Sequence, residues 1–167
     1  MTNLQMLVSQ HQAKAARMAA QSADWGKRKE KWLAVLARFI EDVRASLIAA
    51  GVPGEQIAPT SHHISEEALG DYEAPGLRVK IGTALVQFVP IASVIIGGYG
   101  RIDVIGPQGE VKLIAHDTQA FPDPDDKTPS HEREWVWSAY PDKTRRGGLR
   151  LDNDGLAKVL ELVIGGA

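Results

Sequence analysis

Cysteine is absent from all 167 residues, which removes disulfides, zinc–thiolate sites, iron–sulfur clusters and thiol nucleophiles together. Only oxygen and imidazole ligands remain. No apolar run is long enough to cross a bilayer: the longest, Val86 to Ile96, is interrupted by Gln87, Pro90 and Ser93. The opening residues, Met1-Thr2-Asn3-Leu4-Gln5, lack the apolar core of a signal peptide. A cytoplasmic chain without membrane contact is therefore expected. A strong charge of either sign is also missing, since 19 Lys and Arg stand against 21 Asp and Glu. With 44% hydrophobic residues the chain has the apolar content of a folded protein and the length of one compact domain.

Proline is missing from residues 1–50, which hold a single glycine and are rich in Ala, Gln, Lys, Arg and Leu. That composition predicts an N-terminal helical arm. Stepping alternately by four and three from Leu4 meets Val8, His11, Ala15, Met18, Ser22, Trp25, Lys29, Trp32, Leu36, Phe39 and Val43, a heptad-like seam. The first part of the seam is small or polar and the second is large, so the second is expected to pack on a core. Ser22-Ala23-Asp24-Trp25-Gly26 offers two capping residues and a weakening glycine. Two helices, 3–20 and 24–49, forming a helical hairpin are favoured over one long rod, with Gly51 and Pro53 as the stop.

Residues 51–76 carry Pro53, Gly54, Pro59, Gly70, Pro75 and Gly76, and read as a connector with one helical turn near Ser65–Leu69. From Leu77 the period changes to two. Leu77–Ile81 alternates as a half-exposed strand, and Ala84–Ile91 is apolar on both faces, as a central strand is. Arg101–Ile105 and Glu110–Ala115 flank Gly106-Pro107-Gln108-Gly109 as a hairpin, and Glu134–Tyr140 is a further strand with Trp135, Trp137 and Ala139 on one face. Asp152-Asn153-Asp154 caps a last helix bearing Leu156, Val159, Leu160 and Val163, closed by Gly165-Gly166. The expected fold is α+β. It comprises the helical arm, the connector, and over residues 77–167 an antiparallel meander of about five strands with the C-terminal helix packed on it.

No motif of high specificity for catalysis is present, and no cofactor is implied. Ser93 and Ser138 lie in apolar stretches without a neighbouring base in the sequence, and no Gly-x-Ser-x-Gly elbow precedes either. His116-Asp117 and His131-Glu132 could converge with Asp103 only through the fold. The glycines at 97, 98 and 100, and Arg145-Arg146-Gly147-Gly148, do not open helices as phosphate loops do, and read as turns. In Thr60–Glu67, His62 with Glu66 and His63 with Glu67 are four apart, so a helical turn would pair them into a metal site for a hydrolase. The adjacent histidines depart from the metalloprotease pattern, and a solvated loop is the plainer reading.

Three features point to macromolecular binding. The amphipathic front of the arm, with Leu4, Leu7, Val8, Ala15 and Met18, need not fit on so small a sheet and suits a protein partner or a second copy of the chain, with packing inside the chain as a helical hairpin the plainer reading. The long segment between His116 and Glu132 carries Asp123, Asp125 and Asp126 among prolines, an acidic surface for a partner. Residues 1–40 hold seven basic groups (Lys14, Arg17, Lys27, Arg28, Lys29, Lys31, Arg38) against two acidic ones (Asp24, Glu30), and the Lys27, Arg28, Lys29 and Lys31 cluster could follow a nucleic-acid backbone. Trp25 and Trp32, both on the seam, are expected as core anchors rather than base-stacking rings. The expected function is a non-catalytic protein-interaction module of the inhibitor, immunity-type or assembly-adaptor kind. Nonspecific nucleic-acid binding is the alternative and a hydrolase at His62 and His63 the second.

Overall fold

The computed structural model describes residues 2–119, 123–141 and 148–166. One helix, α1 (Asn3–Ala49), is followed by seven strands and a second helix, α2 (Asn153–Ile164). The expected break near Asp24 does not occur. Thr2 and Gln5 close a reciprocal capping box at the start, and no later residue caps a new helix. One interior glycine costs about 1 kcal/mol, too little, even beside Ser22 and Asp24, to interrupt a segment whose longer flanks are rich in Ala, Gln, Lys and Leu. At the far end Gly51 takes a φ of 105°, and Val52 N–H donates back to the Leu47 carbonyl at 2.9 Å.

The strands are β1 (Ile57–Glu66), β2 (Gly70–Ile81), β3 (Ala84–Ala92), β4 (Gly100–Gly106), β5 (Gly109–Asp117), β6 (Trp135–Tyr140) and β7 (Leu149–Arg150). They form one antiparallel sheet in chain order. Seven strands replace the expected five or so. The added ones are β7, only two residues long, and β1, which occupies the segment read as connector and helical turn. The punctuation there is compatible with a hairpin: Pro59 lies in an edge strand, where a missing N–H is tolerated, and Gly70 closes the turn with φ 76°.

Both helices cover the same face of the sheet. On β4, a Cβ at Gly100 would strike the Trp32 ring and one at Gly106 would strike Val163, and these two positions share a face. Val86, Phe88, Ile102, Val104, Leu113 and Ala139 line that face beneath Trp32, Leu36, Phe39 and Val43 of α1 and Leu156, Val159 and Val163 of α2. The single face shared by Trp135, Trp137 and Ala139 is this inner one: Trp137 lies 4.8 Å from the Phe39 ring. Asp152 caps α2 by accepting from Gly155 N–H at 2.8 Å.

The β1–β2 hairpin changes phase along its length. Leu77 and Val79 are buried beside β3, but beyond Gly76 burial passes to Ala74 and Tyr72, on the opposite face of the strand. Gly76 sits at that change, where a Cβ would lie 2.6 Å from the Phe88 carbonyl oxygen. The distal half of the hairpin thereby reaches α1, and Tyr72 Oη accepts from Trp32 Nε1 at 3.0 Å.

Candidate interaction site

Residues 2–27 are exposed throughout, a free arm, and burial begins abruptly at Arg28. At 1.5 Å per residue, residues 3–27 project roughly 37 Å from the body. The change is not one of sequence pattern. Leu4, Val8, Met18 and Trp25 continue the same helix face that Trp32, Leu36, Phe39 and Val43 bury against the sheet, because the four-and-three stepping runs unbroken through Lys29. Among the described residues nothing lies beneath that face in the arm, and Leu4 is 70% and Met18 60% exposed. Trp25, expected in the core, stands on this open portion, whereas Trp32 is fully buried as expected.

The root of the arm is a polar clamp. Arg28 donates from Nε to Ser93 Oγ at 3.0 Å, from Nη1 to Ser130 Oγ at 2.8 Å, and from Nη2 to the carbonyls of Ser93 (3.0 Å) and Tyr99 (3.2 Å). Its guanidinium lies over the Tyr99 and Trp135 rings, which stack on each other at 5.0 Å. Burial lowers the Arg28 pKa from its ordinary value, opposed by Tyr99 and Glu66. Glu66 accepts from the Ser93 and Val94 N–H groups and from Tyr72 Oη, so the hairpin tip is tied to the same root. Burial, then the Glu66 hydrogen bond, raise the Tyr72 pKa far above the usual phenol value.

The acidic segment meets this root through Ser130. Trp135 Nε1 donates to the Ser130 carbonyl at 2.8 Å, and Arg133 binds Asp117 Oδ2 at 3.1 Å and the Thr128 carbonyl at 2.9 Å. Asp117 is held below the usual carboxylate range, first by the Gln119 N–H and then by Tyr99 and Arg133. Asp123, Asp125 and Asp126 are all exposed. The loop is internally bonded: Asp123 accepts from Asp125 N–H and Asp126 from Thr128.

The other sequence candidates are dispersed. Within the Lys27–Lys31 cluster, Arg28 is turned inward and spent on Ser93 and Ser130, and Lys31 Nζ lies 5.7 Å from the Trp135 ring. Lys27 is exposed and Lys29 partly so. His62 and His63 are successive residues of β1 and point to opposite faces. His62 Nε2 contacts Thr60 Oγ1 at 2.8 Å while His63 Nδ1 contacts Glu73 at 3.1 Å. Glu66 is engaged at the arm root, and Glu67 lies in the exposed turn. The helical spacing behind the metal reading is therefore absent, and among the described residues no group of three His, Asp or Glu is placed to hold a metal ion.

Two corrections concern the serines. Ser93 is fully buried and meets Arg28 rather than an apolar environment. Ser138 has a base after all: His116 Nε2 lies 2.7 Å from its Oγ, and His116 Nδ1 lies 2.9 Å from the Asp117 carbonyl oxygen. The pairing across β5 and β6 creates this contact from residues 22 apart. It lies on the sheet face opposite the helices. Asp103 belongs to a separate pair, with Arg101 Nε at 2.7 Å, and His131 stays beside Glu132 at 3.9 Å. Neither converges with His116. Of the two glycine-rich segments, residues 97–100 form the turn into β4, while Arg145-Arg146-Gly147 lies outside the described residues.

A groove of about 390 Å³ runs between α1 and the start of α2, floored by Phe39, Trp135 and Trp137 and rimmed by Arg38, Arg150 and Asn153. No described helix is long and apolar enough to cross a membrane. Compared with protein-family models, curated proteins and solved structures, the chain matches none.

Proposed function

We propose that the chain is a non-catalytic macromolecule-binding protein, a protein-interaction module that acts through the free arm of α1. One observation carries this reading: the face of α1 that is core from Trp32 to Leu47 is solvent-exposed from Leu4 to Trp25. A helix whose apolar stripe lies open for six turns is stabilised when that stripe docks on another surface. The acidic loop with Asp123, Asp125 and Asp126 supplies a second exposed surface, fixed to the arm root through Ser130 and Arg28. A rigidly presented helix of this kind suits an inhibitor, an immunity-type neutraliser or an assembly adaptor that docks by laying an apolar helix face on its partner.

The test is a tagged full-length chain in native lysate, with and without nuclease, set beside the Met18→Glu variant. Met18 is exposed, so the charge leaves the fold intact. The expected result is a stoichiometric partner protein that resists nuclease and is lost with Met18→Glu. Retention that disappears with nuclease or added salt would overturn the reading in favour of Lys27 and Lys29 binding nucleic acid.

A further inference from the structure

We infer that the partner of the arm is a second copy of this chain, docked antiparallel so that two arms cover each other's open stripe. This rests on the arm being the binding element. Three features of the chain select this occupant.

The first is length. In an antiparallel pair whose facing residues sum to 33, Leu4 of one copy lies opposite Lys29 of the other, and at Arg28 the partner's sheet begins to occupy that same helix face. Residues 6–27 of the two copies therefore face each other along the open stripe, and the first turn of each arm reaches the partner's root. The second is shape. This register makes layers of Trp25 with Val8, Met18 with Ala15 and His11 with Ser22, each repeated by the two-fold axis, so these three inner layers each join a larger side chain to a smaller one. A parallel pair would stack Trp25 on Trp25 and imidazole on imidazole, and leave Ser22 facing Ser22.

The third feature is what stands at the root. Val94, 43% exposed, follows the Ser93 that Arg28 holds, so an apolar side chain waits where the partner's Leu4 and Leu7 arrive. Charge does not distinguish the occupant at the root, where Lys27, Lys29 and Lys31 stand beside Glu66 and the exposed Glu67. Lys14 and Arg17 fall near the middle, opposite Ala19 and Ala16, and meet no cation directly.

The two arms run together over about 33 Å. Such a seam reaches only the low end of the roughly 1,200–2,000 Å² of stable interfaces, so the dimer depends on concentration. It is also closed: each copy's stripe is used once, and nothing remains to extend a filament.

The absence of cysteine makes the geometry directly testable. Sedimentation of the full chain is expected to pass from monomer to dimer between about 1 and 100 μM, a weak affinity on the scale of protein complexes, and Met18→Glu is expected to stay monomeric with unchanged circular dichroism. Under copper oxidation, Ala15→Cys alone is expected to form a covalent dimer, its two copies being about 4–5 Å apart along the axis. His11→Cys and Ser22→Cys are each expected to fail alone, at about 16 Å of axial separation, and to cross-link when mixed. Self-linking of His11→Cys would establish a parallel pair and overturn the proposal. A chain that remains monomeric at every concentration would overturn it as well. If Met18→Glu then still abolishes capture of a different protein, the binding role of the arm survives and only the second copy is excluded.

Discussion

Trp25 and Trp32 stand seven residues apart on one stripe, equivalent by periodicity, yet Trp32 is wholly enclosed and Trp25 is 37% exposed. Replacing Trp32 by Ala removes its packing against Trp137 and Gly100 and its hydrogen bond to Tyr72. The expected loss is about 3–5 kcal/mol. Trp25→Ala removes no core volume and is expected to cost no more than about 1 kcal/mol in the monomer. Urea unfolding of the two variants at low concentration checks the difference, and equal losses would contradict it. Trp32 was legible in the sequence as a core residue because it recurs with Leu36, Phe39 and Val43. The exposure of Trp25 was not legible, because a periodic stripe records which residues share a face but not where the opposing sheet ends. Arg28 shows the same gap: among Lys27, Lys29 and Lys31 it reads as one more surface cation, and its acceptors, Ser93, Ser130 and Tyr99, come from 65 to 102 residues away.

At the scale of elements, α1 is the clearest case of a local signal overruled by continuity. Ser22, Asp24 and Gly26 each favour a helix boundary, but a helix end must leave backbone groups to be capped, and an unbroken helix satisfies them internally. Gly26 therefore only weakens the rod where it enters the body. A Cβ there would meet nothing within 4 Å, so Gly26→Ala is expected to stabilise the protein by about 0.5–1 kcal/mol. Thermal unfolding measures this, and destabilisation would show that the helix needs to bend at that point. The strands divide in a similar way. The β4–β5 hairpin was legible because turn chemistry and alternation agree over adjacent residues. β1 was not, since Pro59, Ser61, His62 and His63 give it little apolar alternation, and it is a strand because β2 pairs with it over ten residues. The His116–Ser138 contact is a product of that same kind of pairing between strands, invisible in either one alone.

For the whole molecule, the body is a sheet with two helices on one face, and the arm is the part of α1 that extends past the sheet's edge. Backbone hydrogen bonds are equally complete on the two sides of Arg28, so hydrogen exchange separates tertiary from local protection. Amides of residues 6–27 are expected to exchange several orders of magnitude faster than those of 32–47 at low concentration, and to slow as concentration rises if arms pair. Uniform protection along α1 in dilute solution would contradict this division. The sequence by itself determined the class of the fold, the helical nature of the N-terminus, the central hairpin and the capped C-terminal helix, because each depends on interactions within a few residues of one another. Only the tertiary structure decided that β1 is a strand, that Arg28 is a buried clamp, and that the apolar face of α1 is covered over one half and open over the other. Those outcomes depend on where the sheet lies in space, and burial is set by what stands opposite a side chain rather than by its neighbours along the chain.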